Sequence, residues 1–324
     1  MTRMRLWAAC AGIVITALVA GPAHAQHYPS RPVRMILPSS PTGPVDVLAR
    51  AISQAYGDAL GQQLVLDNRA GAGGAIGAEL VAHGNPDGYT IMLSHSGPLA
   101  IEHQLHLKAG YDPLRDFEPV SLVAASPYLL LVHPAVPAKS VQELVALAKS
   151  RPGKLNYASG GPGTGIHMAA ELLNLVAGIK VVHVPYKGAG PGMTALLGAE
   201  VDMMFNGVSS ALPQVKAGKL RALAVGSAKR SQLLPDLPTI AESGLKYDTS
   251  GWYGLVAPKA TPRAVVMQLH AGLVQALADA PTKERLATLG IEGIGSKPEE
   301  FRGYLKEEVA KWGKVIQSAG LKAQ

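Results

Sequence analysis

Cysteine is nearly missing from the chain: its one instance, Cys10, lies near the amino terminus. A lipid anchor on that residue would need an apolar run ahead of it, and here the run follows it. Beyond residue 25 no apolar stretch reaches the roughly 20 residues that a bilayer-spanning helix requires, so the body of the chain is expected to be soluble. Clusters of basic residues are also missing. The formal charge of +7 and the pI near 9.4 would permit nucleic-acid binding, but Lys and Arg are scattered, with no basic run longer than two residues, and leave nothing to track a phosphate backbone. A mild positive field favours small anions instead.

Enzyme signatures are missing too. The chain has no GxSxG elbow, no GxxxxGK[ST] loop and no HExxH, which removes the commonest hydrolase, nucleotide and zinc-protease readings. GAGGAIG at Gly71 resembles a dinucleotide fingerprint, but its spacing is GxGxxxG. Those glycines are better read as letting a helix start close against a sheet. His103 and His106 form an HxxH pair without a third ligand nearby, which fits a solvated helix face better than a metal site. His167 beside Thr164 is the nearest approach to a catalytic pair, and it has no partner. Neither a metal nor a cofactor is expected.

What is present begins with Met1 to Ala25. Arg3 and Arg5 precede an apolar run from Leu6 to Ala20, and Ala23-His24-Ala25 closes it as a small-x-small signal. The pattern is a cleaved secretory leader rather than a membrane anchor, with the mature chain starting at Gln26. Removing the first 25 of 324 residues leaves 299, lowers the charge to +5 and takes away the only cysteine. The exported chain therefore holds no disulfide in an oxidising compartment. Its length suits two domains and a cleft.

Short β-rich runs alternate with helical patterns: VRMILP at Val33, QLVLDN at Gln63, YTIMLS at Tyr89, YLLLVH at Tyr128, LNYAS at Leu155, KVVHVP at Lys180, VDMMF at Val201 and RALAVG at Arg221. Apolar on both faces, they predict strands covered by helices on both sides, an α/β class with mainly parallel sheets. A capping box at Ser140/Glu143 starts a helix from Val141 to Ser150, Thr261-Pro262 starts another, and a third begins at Ser296. With no repeat and no Pro/Gly-rich joint, the chain is expected to cross twice between domains, near residues 122–126 and 250–257. That gives one domain of 26–123 plus 250–324 and another of 124–249.

Two loops suit anion capture. In SSPTGPVDVLAR, the strand ending at Pro38 breaks into Ser39, Ser40, Thr42 and Gly43 before a helix from Val45, with Asp46 in its first turn. In NYASGGPGTGIH, Ser159, Gly160, Thr164 and Gly165 precede a helix from about Ile166. First-turn N–H groups lack intrahelical acceptors and carry the positive end of the helix dipole. Further candidates stand at strand ends, where open α/β sheets place ligands: His95, Ser96, Tyr186, Lys187, Phe205, Asn206 and Ser209.

Across YPSRPVRMILP, DVLAR, NRAGAGGAIGAELVA, PDGYTIML, HVPYKGAGP, LLGAEVDMMF, KAGKLRALAV and LPDLPTIAESG, the chain resembles the Bug-type substrate-binding proteins of tripartite tricarboxylate transporters. The resemblance implies a monomeric, two-domain periplasmic receptor of type II flytrap architecture. It would close on a small carboxylate and deliver it to a membrane permease of two subunits. Carried over by motif, it points to the loops Ser39 to Asp46 and Ser159 to His167, with Phe205 and Asn206 nearby. Thr42 and Ala70 depart from glycine and proline in relatives, and Asn206 stands where an acidic residue is common. Loss of that carboxylate suggests a ligand with neutral or aromatic parts rather than an amino acid. Sensing for a membrane kinase would use the same site, and a secreted α/β hydrolase is the contrasting expectation.

Overall fold

The computed structural model describes residues 28–39, 41, 43–105, 109–186, 188–231 and 234–321. The leader with its cleavage site, Ser40, Thr42, His106 and Lys187 lie outside the described residues. The chain divides into Met1–Ser30 and the compact unit Arg31–Gln324, and the architecture below is that of the second.

The chain alternates as the hydrophobic runs dictate: β1 (Val33–Leu37), α1 (Pro44–Leu60), β2 (Leu64–Asn68), α2 (Ala75–Ala82), β3 (Thr90–His95) and, after a π-turn, the short α3 (Glu102–Leu105). Then come β4 (Phe117–Val132), α4 (Val141–Ser150), β5 (Asn156–Ser159), α5 (Gly165–Ala177), β6 (Val182–Pro185), α6 (Ala189–Leu197), β7 (Met203–Gly207), α7 (Val208–Lys216) and β8 (Arg221–Val225). The last part holds β9 (Ser250–Pro258), α8 (Arg263–Ala278), α9 (Ala280–Thr288), β10 (Glu292–Gly293) and α10 (Pro298–Ser318). Local chemistry sets the ends. Ser140 accepts the Glu143 N–H at the start of α4, and Gly61 and Gly178 close α1 and α5 in the left-handed region, where a Cβ would be strained.

One sheet runs β2-β1-β3-β9-β4 with β10 on β4; the other runs from β4 through β7 and β5 to β6, with β8 on β4. The sheets are mixed rather than mainly parallel. Pairs β1/β2, β1/β3, β5/β6 and β5/β7 are parallel, while β4 and β9 are antiparallel to all of their partners. The reason lies in the crossings: helical crossovers return the chain to the same end of a sheet, whereas β4 leaves the first sheet at the carboxyl ends of β1 and β3 and enters the second from that side. β9 returns the same way. The hand-over on β4 is abrupt, since Pro127 pairs with Ser250 in the first sheet and Tyr128 with Gly207 in the second.

As a result, the carboxyl ends of β1, β3, β5 and β7 all point to one region. Behind them the core is mainly apolar, from Met35, Ile36 and Leu37 to Tyr157, Met204 and Phe205. The C-terminal helix α10 packs Phe301, Leu305 and Trp312 into it. The glycines of GAGGAIG have the packing role expected: a Cβ on Gly77 would lie 3.1 Å from the Pro38 backbone and from the Arg69 carbonyl.

Candidate functional site

A cavity of about 480 Å³ opens where those strand ends meet. Seven of the residues singled out from sequence stand on its wall: Ser39, His95, Ser96, Gly160, Thr164, Gly165 and Asn206. They come from both sheets. Gly43 caps α1, whose first residue, Pro44, also lines the wall.

Other candidates support the wall from behind. Asp46 is buried and ion-paired through Oδ2 with the exposed Arg50 at 2.8 Å, so its charge is directed along the helix. Phe205 is core, stacked on Tyr247 at 6.0 Å. Tyr186 is half-buried and its N–H donates to the Ser159 carbonyl. Ser159 is buried, with Oγ 2.6 Å from His183 Nε2 and accepting the Gly161 N–H at 3.0 Å. His167 accepts the Gly163 N–H on Nδ1 at 3.1 Å and lies 4.1 Å, centroid to centroid, from His183. Burial, then the neighbouring His183, lowers His167 to about 3, so at neutral pH it is an uncharged brace for the glycine loop. His103 is half-buried with a buried Nδ1 rather than solvated, and no group of metal-binding side chains occurs among the described residues.

Four helices begin at this wall. Pro44 opens α1, Gly165 α5, Ala189 α6 and Val208 α7, and the cap or first residue of each lines the cavity. Their first-turn N–H groups and dipoles supply positive potential. Among the described lining residues there is no Lys, Arg, Asp or Glu. The hydroxyl of Ser39 is buried without a partner among the described residues. Burial lowers His95 to about 4, pushes Tyr253 up to about 12 and holds Tyr128 above its ordinary range, so all three are neutral near pH 7.

Sequence reasoning missed much of the rest of the wall, including Tyr128, Trp252, Tyr253, Leu289 and Ile291. Tyr128 lies inside β4, two residues past the expected crossing at 122–126, and Trp252 lies near the start of β9 within the other. Gly188, ahead of Ala189-Gly190-Pro191, was visible as a helix start. Leu289 and Ile291 carry no local signal, since only the return of the chain after α9 brings them here.

Residues 48–321 match the family described as tripartite tricarboxylate transporter family receptor. The chain is 36% identical to protein BugT of Bordetella pertussis over 99% of both chains. It is 37% identical to the structure of the periplasmic binding protein BugD, with TM-score 0.76, covering 92% of this chain and all of that one. A structure of Rpa4515 of R. palustris with adipate is 35% identical, with TM-score 0.78, over 90% of this chain and 98% of that one. The mixed sheets, the two crossing strands and the cleft at the strand ends are the two-domain flytrap architecture of such receptors. This chain belongs to the tripartite tricarboxylate transporter receptor family as a Bug-type periplasmic solute-binding protein, a transport receptor and not an enzyme.

Proposed function

We propose that the protein captures a small carboxylate in the cavity of Ser39, His95, Ser96, Thr164 and Asn206 and presents it to a two-subunit membrane permease. The observation that carries this reading is the convergence of four helix N-termini on one cavity. Each contributes about 0.3–1 kcal/mol toward an anion, and up to ~2 kcal/mol where partly buried. The adipate held by the 35%-identical Rpa4515 supports the same ligand class. Gly160 and Gly165 let the ligand approach backbone, while Ser159 and His167 hold that loop in place. Ser40 and Thr42 belong to the first loop by sequence, and Lys187 follows the strand end at β6.

The moving parts are a domain of 26–123 plus 250–324 and one of 124–249, working as a monomer after cleavage behind Ala25. Ligand bridging the two domains favours the closed arrangement, which the permease reads. A thermal-shift and calorimetry screen of mono-, di- and tricarboxylates tests the reading, because a ligand selective for the folded state raises Tm. A rise with carboxylates and none with the matching amides supports it. Equal response to the amides, or none to any carboxylate, refutes it.

A further inference from the structure

Two polar side chains on the wall, an amide and an imidazole, are fixed as donors, while the Ser, Thr and Tyr hydroxyls beside them can donate or accept. Asn206 is 7% exposed and its Oδ1 accepts the Gly207 N–H at 2.8 Å. A backbone N–H can only donate, so the amide cannot be flipped. Nδ2, a pure donor, is what Asn206 offers to the cavity it lines. His95 obeys the same logic. Its Nδ1 accepts the Gly97 N–H at 3.0 Å, which leaves the proton of the neutral ring on Nε2, a second donor. The helix first turns add donors only.

Much of the rest of the wall is hydrocarbon: Trp252, Ile166, Leu289 and Ile291, with the rings of Tyr128 and Tyr253. Trp252 turns its one polar atom away, Nε1 donating to Glu308 Oε2 at 2.7 Å. Resting on the carboxylate reading above, we propose that the cavity selects a carboxylate with one charged end and an apolar or aromatic body, Asn206 being the residue that accepts the anion and rejects ammonium. An amino acid would bury its ammonium with only neutral oxygens, and no carboxylate among the described wall residues, to receive it. A second carboxylate would compete for the same helix-start donors, and one seated against the aromatic and aliphatic side chains would be at a similar disadvantage.

The test is calorimetry of the mature chain and its Asn206→Asp variant against benzoate, cyclohexanecarboxylate, adipate and aspartate. Asp at 206 still offers an oxygen to the Gly207 N–H, so the loop is kept and only the face toward the ligand changes sign. Benzoate or cyclohexanecarboxylate is expected to bind at least tenfold more tightly than adipate, and aspartate not to bind. The variant is expected to lose about 30-fold or more in affinity for the tighter of the two with Tm unchanged. Tighter binding of adipate or aspartate, or equal affinity in the variant, overturns the selectivity while leaving a carboxylate receptor. Failure of every carboxylate overturns the underlying reading itself.

Discussion

Gly165 opens α5 on the cavity wall, and a Cβ there would lie 2.3 Å from Tyr128 Oη, 3.3 Å from its Cζ and 3.5 Å from Ser96 Oγ. The Tyr128 backbone cannot retreat, because it pairs with Gly207 and its carbonyl accepts the Gly226 N–H at 2.8 Å. In Gly165→Ala the ring must therefore swing into the cavity, where there is room for it. Overpacking of this kind costs about 1–3 kcal/mol, and the helix regains at most about 1 kcal/mol from exchanging Gly for Ala. Because the ring relaxes into space that the ligand needs, the cost falls on binding. Affinity for the tightest carboxylate should drop by roughly 5- to 150-fold, with urea stability within about 1 kcal/mol of the parent. Tyr128→Phe removes the atom at 2.3 Å, so Gly165→Ala/Tyr128→Phe should recover most of the loss by calorimetry. Unchanged affinity in Gly165→Ala, or a double variant no better than the single one, refutes the reasoning.

Glu308, 3% exposed, accepts the indole N–H groups of Trp252 and Trp312 on one oxygen, at 2.7 and 2.8 Å, and pairs with Lys311 through the other. Glu308→Ala should cost about 2–5 kcal/mol in urea unfolding, and a change under ~0.5 kcal/mol would show that these donors are met otherwise. Gly254 lies under Phe301, whose Cζ would be 2.2 Å from a Cβ, on a strand paired on both sides. Gly254→Ala is expected to lose about 1–3 kcal/mol or more, with Phe301→Leu in the same chain restoring part; strictly additive effects would count against the contact. His167, held at about 3 against an ordinary value near 6.5, stays neutral in the fold while the unfolded chain takes up the proton. Its contribution is complete above about pH 6.5 and is lost as pH falls toward 3, by up to ~1.4 kcal/mol per unit. His167→Gln should flatten that slope in unfolding titrations between pH 4.5 and 7.5, and an unaltered slope refutes the assignment.

The strands flanked by helical patterns were legible because each run is short, apolar on both faces and bounded by turn residues. Val33–Leu37 and Arg221–Val225 are examples. The long strand from Phe117 was legible only from Tyr128 onward. Its first half carries Pro119 and two register shifts, between Pro119 and Ser121 and between Leu122 and Ala124, which break the alternation that marks a strand. Strand direction was hidden for a similar reason, since antiparallel entry follows from which end of a sheet the chain leaves. The two glycine loops were readable as helix starts, and the described parts of both reach one cavity. Tyr253, Leu289 and Ile291 were not, because their place depends on contacts distant in sequence.

The abrupt transfer of β4 between its two partners has a mechanical meaning. Pro127 is the last residue of β4 held by one sheet and Tyr128 the first held by the other, so on the two-domain reading proposed above a rotation between the sheets would twist β4 at that peptide link, with the return into β9 as the second hinge. Tyr128 is also a wall residue whose hydroxyl rests on the opening turn of α5. On that proposed reading pivot and cargo would meet on one side chain: a carboxylate filling the chamber would bear directly on the axle, with no relay of intermediate residues.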